Sequence, residues 1–204
     1  MMLVKRKAVF LDKDGTLVEN RPFNGIAESF VLLPGTMEGL QMLHQAGYLL
    51  VVVTNQGGVA QGSITEGNLA DIEVALRIRL ASANIPLAGF YYCPHHPDGL
   101  IPRYSIHCSC RKPQSGLLHQ AARELRIDLE RSWMIGDILH DVEAGRSAGC
   151  RTVLLTNGNE TEWDMSASRW PDILADNVWG AARSVLGADP PQQQVPHEPE
   201  TRRQ

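Results

Sequence analysis

Two aspartates one residue apart, Asp12 and Asp14, close a short apolar run, Ala8–Leu11, and are followed at once by Gly15 and Thr16. In an α/β protein, ligands bind outside the carboxyl ends of the strands. A strand ending here would deliver both carboxylates to one crevice, since residues i and i+2 share a side. Gly15 lets the chain turn away without a Cβ clash. Such a pair suits metal-assisted phosphoryl transfer. One oxygen of Asp12 can attack phosphorus while the other holds a divalent cation. Asp14 can protonate the leaving oxygen and then deprotonate a water. The plain alternative is a strand followed by an Asp-Gly turn.

Three further stretches offer matching chemistry. The apolar run Leu49–Val53 ends in Thr54-Asn55-Gln56-Gly57-Gly58. There a Thr hydroxyl and backbone N–H groups can meet a phosphate oxygen, or the segment is simply a turn. Trp133–Ile135 is followed by Gly136-Asp137, and Asp137 supplies a further carboxylate for a hard cation such as Mg²⁺. Asp141, four residues on, either supports that site or caps the next helix. Arg111-Lys112-Pro113 offers a bidentate and a point-charge contact to phosphate. Directly before it, Cys93-Pro94-His95 and Cys108-Ser109-Cys110 place three Cys and one His within a short polar stretch. That donor set suits a structural, tetrahedral Zn²⁺ held by Cys93, His95, Cys108 and Cys110, with no position left open. His96 and His107 are rival donors, and free thiols or a disulfide are the alternatives. Cys150, after Gly149, reads as a core residue.

These residues need a frame that brings distant chain segments together. The chain has 204 residues, 43% apolar and 21% charged, with a formal net charge of −4. That composition fits one soluble domain with a sizeable core. The acidic balance and 6% aromatic content argue against a nucleic-acid surface. No apolar run approaches the ~20 residues of a membrane helix, and the start carries no secretory signal. We therefore expect a cytoplasmic protein, a monomer, with neither nucleic acid nor membrane as partner. Strand-like runs at Ala8–Leu11, Leu49–Val53, Phe90–Tyr92, Trp133–Ile135 and Thr152–Leu155 alternate with helix-like ones. Those are Gly39–Ala46, Thr65–Ala83 with Thr65 as N-cap, Gly116–Leu125, and Val142–Ala148 ended by Gly149. Alternation of this kind predicts a three-layer α/β/α, Rossmann-like parallel sheet with helices on both faces and a metal-bound loop. The domain is expected over residues 1–187. The Pro- and Gln-rich tail, 188–204, cannot bury enough to order itself.

Taken together, the four stretches resemble the haloacid-dehalogenase-like phosphatase superfamily. Asp12-Lys13-Asp14-Gly15-Thr16, Thr54, Lys112, and Gly136-Asp137 with Asp141 follow its motif order. Thr54-Asn55-Gln56, Cys93–Pro97 and Cys108–Pro113 are similar to its zinc-loop subgroup. The stretch Tyr91–Gly99 and the loop length look more like members acting on a heptose bisphosphate than on histidinol phosphate. The resemblance implies Asp12 as nucleophile, Asp14 as general acid/base, and Thr54 and Lys112 as stabilisers of the transferring phosphoryl group. It implies Mg²⁺ on Asp12, the Asp14 backbone carbonyl and Asp137. For a small phosphorylated sugar it implies contacts from Asn20, Arg21, Pro22 and Phe23, from Asn55, Gln56 and Gly57, and from Arg111. The sequence has no large insertion to make a cap domain, so none is expected. The chain departs from the usual pattern at Lys13, Gly57, Ile138 and Asn20–Phe23.

Overall fold

The computed structural model describes residues 5–20, 31–158 and 164–188. The expected loop residues Arg21, Pro22 and Phe23 and nearly all of the expected tail lie outside them. Six strands form one parallel sheet: β1 (Ala8–Leu11), β2 (Leu49–Asn55), β3 (Leu87–Cys93), β4 (Trp133–Gly136), β5 (Arg151–Leu155) and β6 (Ile173–Ala175). Their spatial order is β3-β2-β1-β4-β5-β6. The chain runs outward from β1 in one direction and then restarts at β4 on its other side. β1 therefore pairs in register with both, Phe10 with Val51 and with Met134. The crevice at the carboxyl ends of β1 and β4 is the switch point where such sheets bind ligands.

β1, β2, β4 and β5 are buried on both faces, which is why they read as unbroken apolar runs. Val9 and Leu11 of β1 point to one layer and Ala8 and Phe10 to the other. The first layer contains α1 (Thr36–Gln45), α3 (Glu66–Ala81) and α6 (Val178–Ala188), contributing among others Leu40, Leu76, Leu80 and Val185. The second contains α4 (Gly116–Leu125) and α5 (Leu139–Ala148), contributing Leu117, Leu118, Ala121 and Ala144. Cys150 belongs to this second core, and burial pushes its thiol up to about 12. Gly145 lets α5 pack closely on β4, because a Cβ there would lie 2.6 Å from the Met134 Cβ. Gly149, at φ +90°, caps α5.

Several boundaries differ from expectation. β2 continues through Thr54 and Asn55, so these two finish the strand instead of following it. β3 spans Leu87–Cys93, and α5 begins at Leu139. Thr65 does cap α3, accepting from the Asn68 backbone N–H at 3.1 Å while the Asn68 side chain returns to the Thr65 N–H, and the helix stops at Ala81. The short helix α2 (Gly58–Gln61), β6 and α6 were not anticipated. Among the described residues, no helix is long and apolar enough to cross a membrane.

Candidate active site

Three strand ends converge at the switch point. Asp12 is the first residue beyond β1, and its N–H donates to the Ile135 carbonyl of β4 at 3.0 Å. Thr54 and Asn55 end β2, and Asp137 follows β4. The two N-terminal aspartates are not placed by strand alternation as expected, since β1 stops at Leu11. A tight turn places them instead. Leu17 and Val18 donate to the Lys13 carbonyl at 2.9 and 3.0 Å, and Gly15, at φ +82°, donates to Val18 O at 2.7 Å. The carbonyl of Gly15 is in turn held by the Asn157 side chain at 2.7 Å, from the loop after β5.

The turn separates the two carboxylates. Asp12 joins Asp137 and Asp141 in a buried group whose carboxylate oxygens lie within 4.8 Å of one another. Lys112 enters this group from the other side. Its Nζ donates to Asp12 Oδ1 and to Asp141 Oδ1, both at 2.6 Å. Thr16 Oγ1 donates to Asp137 at 3.2 Å. Asp141 therefore fills both roles left open by the sequence. One oxygen accepts from the Lys112 ammonium, and the other accepts the N–H of Ile138, the N-cap residue of α5, at 3.3 Å from the third position of that helix. Gly136 makes room for it: a Cβ there would sit 2.2 Å from the Asp141 carboxyl carbon.

Three carboxylates share one ammonium in this buried group, so its charge is unbalanced. Burial, opposed by Lys112 and reinforced by Asp141 and Asp14, lifts Asp12 from 3.8 to about 6. Burial, then Asp12 and Asp141, lift Asp137 to about 8. Burial alone would lower the Lys112 ammonium, but Asp12 and Asp141 outweigh it and the net shift is upward. A divalent cation beside Asp12 and Asp137 would supply the missing charge, and hard oxygen donors suit one.

Asp14 faces elsewhere. One of its oxygens is ion-paired with Lys13, and the other accepts from Gln56 Nε2 at 2.7 Å. The same Gln56 nitrogen donates to Thr54 Oγ1 at 2.9 Å. Asn55 is spent on Lys112: its Nδ2 donates to the Lys112 carbonyl at 3.0 Å and its Oδ1 accepts the Lys112 N–H at 2.9 Å. Half-buried Arg111 donates to the His95 carbonyl at 3.1 Å and lies beside Gly57, where a Cβ would come within 3.3 Å of both Arg111 Nη1 and His96 Cδ2. Asn20 is exposed.

Cys93, His95, Cys108 and Cys110 form the second donor cluster, as the spacing suggested. Sulfur–sulfur distances are 3.5, 3.2 and 3.1 Å, and His95 Nδ1 lies 3.3 and 3.7 Å from the sulfurs of Cys110 and Cys93. Zn–S bonds of about 2.3 Å would give tetrahedron edges of about 3.8 Å, so the four donors fit one ion after a slight expansion. No disulfide links any of the chain's four cysteines. Sequence reasoning missed the Asn157 contact and the exclusive fit of Gly136 to Asp141. The Gly-Asp-x₃-Asp spacing was a signal for the second.

The chain is similar to known proteins in sequence and in fold. The HAD-hydrolase-like family model matches residues 109–181. The D-glycero-β-D-manno-heptose-1,7-bisphosphate 7-phosphatase of Photorhabdus laumondii is 41% identical over 172 residues, covering 83% of this chain and 92% of its own. The protein of the same name from Pasteurella multocida is 42% identical, covering 75% and 83%. Among solved structures, D,D-heptose 1,7-bisphosphate phosphatase from B. bronchiseptica, complexed with magnesium and phosphate, superposes with a TM-score of 0.77 at 27% identity, over 89% of this chain and 98% of that one. With identity above 40% over most of the length of such relatives and a fold in common with that structure, the chain belongs to the haloacid-dehalogenase-like phosphatases.

Proposed function

We propose that this phosphatase removes the 7-phosphate of D-glycero-D-manno-heptose 1,7-bisphosphate through an aspartyl-phosphate on Asp12. The observation that carries the chemistry is Lys112 Nζ at 2.6 Å from Asp12 Oδ1, in a buried pocket with two more carboxylates. The substrate follows from the names of the relatives at about 40% identity over most of their length.

Asp12 attacks phosphorus and the bond to the sugar oxygen breaks. Asp14 gives that oxygen its proton. Asp14 then takes a proton from water, whose oxygen attacks the aspartyl-phosphate and frees Asp12 and inorganic phosphate. The Lys112 ammonium, fixed by Asp141 and by the Asn55 clamp, offsets charge on the equatorial phosphoryl oxygens, where most catalysis of this reaction arises. Thr54 stands at the same strand end to donate to one of them. Asp12, the Asp14 carbonyl and Asp137 are the groups that would hold Mg²⁺, which when bound adds positive charge at the phosphoryl group. Cys93, His95, Cys108 and Cys110 would hold Zn²⁺ in a structural role. Arg111, Gly57 beside it and the segment Asn20–Phe23 are the proposed sugar contacts. A reducing compartment such as the cytoplasm suits the unpaired thiols.

The test is relative kcat/KM, with Mg²⁺, over both anomers of the heptose bisphosphate, histidinol phosphate and p-nitrophenyl phosphate. The proposal expects a heptose bisphosphate anomer to exceed each of the others by about 10²-fold or more, a discrimination of roughly 3 kcal/mol. Preference for histidinol phosphate would overturn the substrate while leaving the phosphatase.

A further inference from the structure

The Thr54-Asn55-Gln56 segment was expected to bind substrate, yet its two amides bind protein. Asn55 closes a two-bond ring with the Lys112 backbone. Gln56, only 4% exposed, places its amide nitrogen between Asp14 Oδ2 at 2.7 Å and Thr54 Oγ1 at 2.9 Å. Its own backbone N–H donates to the Cys93 carbonyl at 2.8 Å, which fastens it to the Cys/His cluster. The other oxygen of Asp14 is taken by Lys13.

We propose that Gln56 is the positioning residue for Asp14, holding its carboxylate at the distance and angle from which it serves the leaving oxygen and the attacking water. The inference rests on the reaction proposed above and assigns to Gln56 a part in proton transfer, where the sequence suggested sugar recognition. Three features favour it. Asp14 sits on a turn, whose side chain has more freedom than one on a strand. One of its oxygens is held by Lys13 within the same turn, so Gln56, from the end of β2, is the partner that ties the carboxylate to the rest of the site. Gln56 itself is held by backbone and side-chain bonds to Cys93 and Thr54, and so is a rigid support. General acid–base catalysis is worth about 10²–10⁴-fold, and a misplaced group forfeits much of that.

The test uses aryl phosphates, which carry no sugar for Gln56 to recognise. Phenyl phosphate has a poor leaving group and needs the proton from Asp14; p-nitrophenyl phosphate has a better one and needs it less. In full-length, metal-loaded Gln56→Met, kcat/KM should fall about 10-fold further for phenyl phosphate than for p-nitrophenyl phosphate. In an Asp14→Asn background the same change should cost less than about 2-fold, because the residue it positions has lost its function. If the apolar variant does not fold, Gln56→Asn, whose amide is one methylene short of Asp14, reads the same ratio. Equal losses on the two esters, or an undiminished loss in the Asp14→Asn background, would overturn the proposal. Failure of the wild-type protein to hydrolyse either ester with Mg²⁺ would overturn the reaction on which it rests, and the proposal with it.

Discussion

One methyl group at Gly136 should disable the site from behind. A Cβ there would lie 2.2 Å from the carboxyl carbon and Oδ2 of Asp141, and 2.3 Å from its Cβ. A new rotamer relieves the first two contacts but not the third, so the start of α5 must move as well. Ordinary contact needs more than 3.4 Å, so the retreat exceeds 1 Å. The Lys112–Asp141 bond, now 2.6 Å, would then pass beyond hydrogen-bond reach. Asp141 is fully buried and Lys112 is 2% exposed, so water cannot replace the lost partner. Breaking a buried ion pair costs about 3–5 kcal/mol, and overpacking adds about 1–3. For a chain of this size each kcal/mol lowers Tm by about 2–4 °C. Gly136→Ala should therefore melt about 10 °C or more below wild type and lose about 10²-fold in kcat, as Lys112 loses one of its two anchors. Differential scanning calorimetry and p-nitrophenyl phosphate turnover measure both. Gly187→Ala, on α6 with nothing within 4 Å of the new Cβ, is the control and should be neutral or slightly stabilising. A Gly136→Ala protein melting within about 1 °C of wild type at full activity would show that Asp141 is not locked against Lys112, and the account of the site would fail.

Further outcomes follow from the same geometry. Asp12→Asn should cost more than about 10⁴-fold in kcat with the fold intact, because an amide neither attacks phosphorus nor replaces a carboxylate donor; circular dichroism and turnover check it. Metal analysis should find about one zinc per chain, and Cys108→Ala should remove it, lowering stability by more than about 4 kcal/mol and also activity. In the metal-free protein the raised values of Asp12, about 6, and Asp137, about 8, mean that the folded state keeps protons the unfolded state has released. Their contribution to stability is thus greatest below about pH 4 and falls as pH rises toward 8, by about 1.4 kcal/mol per pH unit for each group still holding its proton. Thermal unfolding in EDTA should show this fall, saturating Mg²⁺ should flatten it, and Mg²⁺ binding at pH 7 should release about one proton.

What the sequence made legible was set by range. β1, β4 and α4 could be read from runs of a few residues, because burial on both sheet faces and one apolar helix stripe are local patterns. The carboxylates and the Cys/His donors announced themselves by residue type and spacing. α6 carried a readable signal too: its buried Val178, Ala181, Ala182 and Val185 fall at helical spacing. The three-residue β6 has no such run, and its Leu174 is 59% exposed. Partners were another matter. Asp141 meets Lys112 across 29 residues and Asn55 meets Lys112 across 57. Residue type does not choose between a substrate and the protein's own backbone as the partner of an amide. The family resemblance implied the Asn-Gln pair as sugar contacts, and the folded chain engages both amides with its own groups.

Those internal commitments give the Cys/His loop a catalytic reach. Cys110 lies two residues before Lys112, and Arg111 between them donates to the carbonyl of His95. Cys93 accepts the Gln56 N–H, and the adjoining Asn55 grips Lys112 from the far side. The loop holding four donors thus touches both the lysine that faces Asp12 and the amide that faces Asp14, through links of one or two residues each. An ion in that loop would have no open position for substrate, and it does not need one. By fixing where residues 93–112 cross the end of β2, it would fix the two side chains that the phosphoryl group and the moving proton depend on. Loss of the ion should then lower kcat at saturating substrate well before the sheet itself unfolds.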